Sequence, residues 1–410
     1  MTKEAIEASE PSAQGLDRVQ GVDRVLGRIR GPQRGATLLC IGGLHGNEPA
    51  GVRALERVLA KLKPRVRRVS GEFVALAGNR AALAAGHRFM DRDLNRAWTP
   101  ERIWRLRNRG EVRGESEDRE QVELLDAIEE VVETARGAVY VLDLHTTSGF
   151  GGSFSTFGDT LPNREFASHI PVPMVLGLEE LVEGTLLGFL ASHGLVTVAF
   201  ESGQHDEPMA VDRAEAGIWL AISAAGLLPD GQIPEVAEAR KLLARESDGL
   251  PRALEMRYRH DIQPGDGFEM APGYENFQIV GEGRAVGRDA RGDVRVGESG
   301  RILMPLYQEQ GEDGFFLIRE FQPVWLWVST LLRKLHVDRF AHWLPGVRRD
   351  PWLPDTVLVN RGIARWYALQ VLHLLGFKKL EETPEELVMR RRQYDEYCFV
   401  RQGPTPEHLK

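Results

Sequence analysis

At 410 residues the chain is too long for one ordinary domain, and its composition, 42% hydrophobic and 27% charged, is that of a globular protein. A formal net charge of −8 excludes nucleic acid as the main partner, because neutralising phosphates needs a basic footprint. Two cysteines, Cys40 and Cys398, exclude a disulfide framework and fit a reducing compartment.

Residues 1–17 are acidic where they begin and lack an apolar run, so they read as a disordered lead and not as a signal peptide. The next segment, residues 36–41, is apolar but for Thr37 and reads as a buried strand. It opens into Gly42-Gly43-Leu44-His45-Gly46-Asn47-Glu48, a glycine-rich turn that projects an imidazole and a carboxylate. Pro49 then suits a first helical turn, and Val52, Leu55, Leu59 and Leu62 recur at helical spacing. Residues 72–77 form the next strand, followed by Asn79-Arg80 and the charged run Asp91-Arg92-Asp93-Leu94-Asn95-Arg96. A long polar stretch, 99–120, precedes an acidic helix with Val122, Leu125, Ile128 and Val132 inward. A strand over 138–144 then delivers His145, and two further strands are predicted at 172–176 and 195–200, the second ending at Glu201.

This alternation over 18–233 is the pattern of a layered α/β domain. Residues 234–256 read as a connecting helix, and the turn-rich segment 257–320 as a small β-rich domain. Residues 321–410 differ again, with five of the eight tryptophans and 14 basic against 10 acidic residues. A packed helical extension is expected there, since aromatic side chains bury large areas. Its apolar run 324–332 is far shorter than the roughly 20 residues a spanning helix needs. The chain is therefore expected to be cytoplasmic and without a membrane partner, with homo-oligomerisation left open.

His45, Glu48 and His145 form the ligand set of an open catalytic zinc site, in which two imidazoles and a carboxylate leave the fourth position for water. The bland alternative is a polar turn at a helix start, where Glu48 is favoured by the helix dipole. Asp143 lies on the same side of its strand as His145 and is placed to orient it. Arginine in the charged run can fork onto a substrate carboxylate or steady an oxyanion, with Asn95 as a neutral donor, although a surface Asp–Arg pair is the usual fate of such residues. Glu201, at the mouth of a buried strand, is desolvated, which raises its pKa toward the range useful for proton transfer. His205, just beyond, is the weaker candidate and reads as a supporting loop residue.

Taken together, Gly42-Gly-Leu-His45-Gly-Asn-Glu48, Asp93-Leu-Asn95-Arg96, Leu142-Asp-Leu-His145-Thr-Thr and Phe200-Glu201-Ser-Gly resemble the succinylglutamate desuccinylase/aspartoacylase family of zinc carboxypeptidase-like hydrolases. The resemblance covers about residues 36–320. It implies an α/β fold with a mixed sheet flanked by helices, plus the small β-rich domain, and one Zn²⁺ per chain on His45, Glu48 and His145. It implies Glu201 as general base and then acid, with Arg80, Asn95 and Arg96 binding a small acyl-amide substrate or polarising its carbonyl. The sequence departs from the family at Ala191, where an arginine for a substrate carboxylate is expected, so activity on N-acetylaspartate is expected to be weak. The function expected is hydrolysis of an N-acyl amino acid amide; a zinc carboxypeptidase and a non-catalytic metal-binding protein are the rival readings.

Overall fold

The computed structural model describes residues 21–109, 115–229, 231, 233–364 and 368–395; the expected N-terminal lead and Cys398 lie outside the described residues. The first strands are β1 (Val25–Arg30), β2 (Gln33–Gly42), β3 (Ser70–Ala77), β4 (Val139–Thr147), β5 (Phe154–Thr156), β6 (Met174–Leu176) and β7 (Val196–Gln204). The helices between and after them are α1 (Ala50–Leu62), α2 (Arg80–Ala85), α3 (Pro100–Arg109), α4 (Ser116–Thr134), α5 (Leu161–Ser168), α6 (Leu186–Ser192), α7 (Met209–Ala224) and α8 (Pro234–Glu246). At the centre of the main sheet β3, β2, β4 and β7 run parallel in that order. Strand β1 closes one side antiparallel to β3, and β5 pairs antiparallel with β7 on the other.

The continuous apolar run in β2 has a simple cause: both faces of the sheet are covered, so neither side of the strand can be polar. Leu38 and Cys40 pack with Leu55, Val58, Ile218 and Trp219 of α1 and α7. Their neighbours Leu39 and Ile41 pack on the opposite face with Leu124 and Ile128 of α4. Burial in this core pushes the Cys40 thiol pKa well up, so it is an inert packing residue. The parallel strands all end at the same edge, and the crevice beyond the carboxyl ends of parallel strands is where α/β sheets bind ligands.

The second half of the chain departs from the expected layout. Helix α8 stops at Glu246, and after Gly249 (φ +77°) and Pro251 the chain enters strand β8 (Ala253–Asp261), so 234–256 is only partly helical. Then follow β9 (Glu269–Met270), β10 (Ile279–Val280), β11 (Ala285–Asp289), β12 (Gly292–Arg295), β13 (Gly300–Leu303) and β14 (Asp313–Glu320). Strand β8 pairs with β6, and β14, β13 and β10 follow it, extending the main sheet to eleven described strands. Of the strands described between β8 and β14, β12, β11 and β9 form a separate small sheet.

The C-terminal extension is not simply helical. It holds α9 (Pro323–Lys334), then β15 (Val347–Arg349) and β16 (Thr356–Asn360), then α10 (Ala368–Leu374), β17 (Phe377–Glu382) and β18 (Glu386–Arg391). The four strands form an antiparallel sheet in the order β15-β16-β18-β17. The core beneath it is mainly aliphatic, with Val347, Val357, Val359, Leu372 and Met389 buried. The four described tryptophans of the extension are not in it: Trp325, Trp327, Trp343 and Trp352 are between 47% and 87% exposed, which corrects the expectation that they pack the extension.

A buried ion network fastens this extension to the α/β domain. Arg333 Nη2 lies 2.7 Å from Asp159 and Nη1 3.1 Å from Asp395, while Arg392 donates to Glu179 at 2.9 Å and Glu180 at 2.8 Å. Removing one partner of a buried pair strands the other, at about 3–5 kcal/mol. Arg333→Met should therefore lower unfolding stability by that order in a urea titration; an unchanged midpoint would show that the network does not hold the extension.

Candidate metal centre and active site

Strands β2, β4 and β7 set the site. The turn after β2 carries His45 and Glu48 to the start of α1. It packs so closely on α2 that a Cβ at Gly46 would lie 2.0 Å from the Ala82 carbonyl carbon, which is why glycine stands there. On β4, Asp143 and His145 share a face, and His145 sits directly across from Glu201 of β7. All of these side chains are buried except Glu201, which is half-buried at the pocket floor.

The imidazoles flank one carboxylate. His45 Nδ1 is 2.8 Å from Glu48 Oε1, and His145 Nδ1 is 3.0 Å from Glu48 Oε2. The far nitrogens face carboxylates as well, His45 Nε2 at 3.0 Å from Asp93 Oδ1 and His145 Nε2 at 2.9 Å from Asp143 Oδ2. Each imidazole thus has a carboxylate at both nitrogens, and the tautomer that suits a metal ligand keeps its proton on Nε2, donated to Asp93 or Asp143. In the neutral rings this leaves two bare Nδ1 lone pairs facing the lone pairs of Glu48, an arrangement that a cation between them satisfies. The ligand atoms of His45, Glu48 and His145 all lie within 4.8 Å of one another. This nitrogen and oxygen donor set fits Zn²⁺, and Asp93 and Asp143 are the outer carboxylates that orient metal-binding histidines.

Without a cation between them, these groups act on one another as ion pairs. Burial alone would raise the Glu48 carboxyl, but His45 and His145 hold it well below the ordinary range. The Thr146 N–H also donates to Glu48 Oε2 at 2.9 Å. Burial works against a charged His145, yet Asp143 and Glu48 raise its pKa well above the usual value. Burial pushes the Glu201 carboxyl up to about 8, helped by Glu48 and Asp143, and its Oε2 has no hydrogen-bond partner among the described residues. Such a group is poised to hold or release a proton near neutral pH.

The arginines are arranged differently from the sequence expectation. Arg80 begins α2 behind the site and pairs with Glu120 and Glu123 of α4, away from the pocket wall. Its neighbour Asn79 caps the helix by accepting from Ala82 N. The cation that does face the metal centre is Arg88, 3.6 Å from Glu48 Oε1 and donating to Asp93 Oδ2 at 3.0 Å. Arg96 lines the pocket, anchored by Asp313 at 2.5 Å, and Asn95 lies beside it with Oδ1 accepting from Leu186 N. Asp93 does double duty, since its Oδ1 also accepts from Asn95 N and so caps the 3-10 turn Leu94–Arg96. His205 supports the wall between Thr146 Oγ1 at 2.7 Å and Gln308 Oε1 at 2.9 Å, with burial lowering its pKa.

Sequence reasoning passed over Arg88 and the role of Asp93. The spacing Asp93-Leu-Asn95 is that of a capping aspartate and was a usable signal; nothing local marks Arg88 over Arg80. These outer carboxylates carry a prediction. Asp143→Asn or Asp93→Asn should weaken metal binding about 10–100-fold, measured by competition with a chromophoric chelator. Wild-type affinity in both variants would remove them from the metal centre.

The site opens into a cavity of about 310 Å³ lined by His45, Glu48, Arg88, Arg96, His145 and Glu201. Helix α6 contributes Gly188, Ala191 and Ser192 to its wall, and the C-terminal extension contributes Lys378, Arg390, Arg391 and Arg392. Strands remote in sequence thus bring basic residues to the cavity whose α6 wall carries Ala191 in place of the arginine expected there.

Residues 34–205 match the succinylglutamate desuccinylase/aspartoacylase catalytic domain. A succinylglutamate desuccinylase from Pseudomonas aeruginosa is 23% identical over 270 residues, covering 62% of this chain and 76% of that protein. One from Pseudomonas paraeruginosa is 39% identical over 62 residues; that match covers 15% of this chain and only 19% of the relative's length. The fold is similar to that of a succinylglutamate desuccinylase/aspartoacylase from Rhodobacter sphaeroides, with a TM-score of 0.53 at 18% identity over 72% of this chain and 88% of that one.

Proposed function

The chain belongs to the succinylglutamate desuccinylase/aspartoacylase family, and from that premise we propose that it is a zinc-dependent hydrolase cleaving the amide bond of an N-acyl amino acid or a related small amide. The observation that carries this reading is the convergence of His45, Glu48 and His145 on one point beside the buried, unpartnered Oε2 of Glu201.

His45, Glu48 and His145 would hold one zinc ion per chain. A zinc ion in such a site supplies Lewis acidity toward a carbonyl and brings the pKa of water to about 7. Glu201 takes a proton from the attacking water as its oxygen bonds to the carbonyl carbon, then delivers that proton to the nitrogen as the carbon–nitrogen bond breaks. Arg88 lies within reach of the developing oxyanion, held in place by Asp93, and takes the part expected from the sequence of Arg96. Arg96 and Asn95 line the path of the substrate, whose carboxylate suits the forked donors of a guanidinium.

Among the described residues no helix is long and apolar enough to cross a membrane, and the two-cysteine composition supports a reducing, cytoplasmic setting. Zinc-loaded protein offered N-acyl amino acids beside short peptides should release amino acids from the former. Preferential trimming of peptides would replace this reading with a carboxypeptidase.

A further inference from the structure

We infer that Lys378 and Arg390 of the C-terminal sheet form a carboxylate-binding subsite, so that the preferred amide carries a second anionic group beyond the one met near the metal centre. This rests on the hydrolase reading above.

Both side chains line the same cavity as His45 and Glu201. They stand directly opposite each other across β17 and β18, Lys378 paired with Arg390 in the antiparallel register. Facing positions of that kind hold Cβ atoms about 4.5–5.5 Å apart, and like charges there repel. Two cations so placed need a counter-charge, and among the described residues neither has a carboxylate paired to it. Among the described residues the Lys378 side chain makes no hydrogen bond or ion pair, and that of Arg390 makes one long hydrogen bond, to Thr356 Oγ1 at 3.5 Å.

The neighbouring charges are spoken for. Arg392 occupies Glu179 and Glu180, His373 also contacts Glu180 at 3.1 Å, and Arg391 pairs with Asp338 at 3.0 Å. Asp313, on the same cavity wall, is held by Arg96 and Arg259. Burial lowers the Lys378 pKa despite the nearby Glu179, the mark of a cation short of hydration and of a close partner.

The strand alternation explains how the pair is aimed. Leu387 and Met389 of β18 and Val357 and Val359 of β16 face the extension's own core. Arg390, the residue after Met389, must face the other way, toward the α/β domain, and its partner Lys378 shares that face. A solvated edge lysine is the usual reading of such a residue on an outer strand. It does not extend to Arg390, which lies on an inner strand flanked by β16 and β17. The facing wall from α6 offers Ala191 and Ser192 and no cation, so the anion binds from the extension's side.

The test compares amides that differ by one carboxylate, N-succinyl with N-butyryl on the same amino acid, and N-acetylglutamate with N-acetylglutamine. Wild-type protein should prefer the anionic member of at least one pair. In Lys378→Met and Arg390→Met that preference in kcat/KM should fall roughly tenfold or more, through KM. An unchanged preference in both variants overturns the subsite. Since each substitution relieves a like-charge contact, neither variant should melt below wild type. A second arm needs no turnover: calorimetry of glutarate and succinate on wild type and on both variants. Binding that vanishes in the variants supports the subsite even if no amide is hydrolysed, an outcome that sinks the hydrolase reading alone. Dicarboxylate binding that is absent from wild type, or equal in all three proteins, overturns the subsite whatever the hydrolysis shows.

Discussion

Replacing Glu201 with glutamine is expected to leave metal content intact and to lower turnover at least about 10²-fold, the usual contribution of a positioned acid–base group. Glutamine keeps the length and most of the hydrogen-bonding capacity of the side chain, so the pairing of β4 with β7 around His145 and position 201 should survive. What it cannot do is accept a proton. Burial already disfavours charge at this position, so a neutral amide is well tolerated and the loss will not reflect misfolding. Metal analysis and thermal unfolding of the variant would resemble wild type. Turnover near wild type would show that the proton goes elsewhere.

His145→Ala should act on the other half of the machinery, stripping the metal and abolishing hydrolysis together. Two ligands, His45 and Glu48, would remain, and a tetrahedral site with three protein donors does not tolerate that loss. The substitution also leaves Asp143 buried without the imidazole that faces it at 2.9 Å, so some stability will be lost as well. Glu48→Gln separates the two effects. It preserves volume and the contact from Thr146 N, yet removes the anionic ligand, and it should lower metal content with a smaller change in unfolding. Full metal occupancy in His145→Ala would sink the ligand assignment.

The centre of the site was legible in the chain because its residues sit at the ends of strands whose composition declares them. Ala36–Ile41 and the run ending at Phe200 are apolar on both faces, so His45, Glu48, His145 and Glu201 stand out as the first polar groups beyond buried backbone. Arg88 was not legible, since both it and Arg80 precede the same charged loop, and only the tertiary pairing of Arg80 with α4 separates them. The continuation of the main sheet through β8, β14 and β13 depends on pairing between strands far apart in sequence, which local pattern does not reveal. Strands β17 and β18, Phe377–Glu382 and Glu386–Arg391, are short and rich in charge, and lack the apolar alternation that would have set them apart from the helical extension expected over 321–410. Their polarity is the consequence of a sheet that shows one face to its own core and the other to a cavity. For the same reason the tryptophans misled, since aliphatic residues fill that core and leave the four described rings outside.

The most direct measurement of the account is hydrolysis of an N-acyl amino acid during removal and return of the metal. Protein stripped by a chelator should be folded and inactive, and activity should return in proportion to added zinc until one ion per chain is bound. Undiminished turnover by metal-free protein would contradict the assignment of His45, Glu48 and His145 as the centre of the reaction.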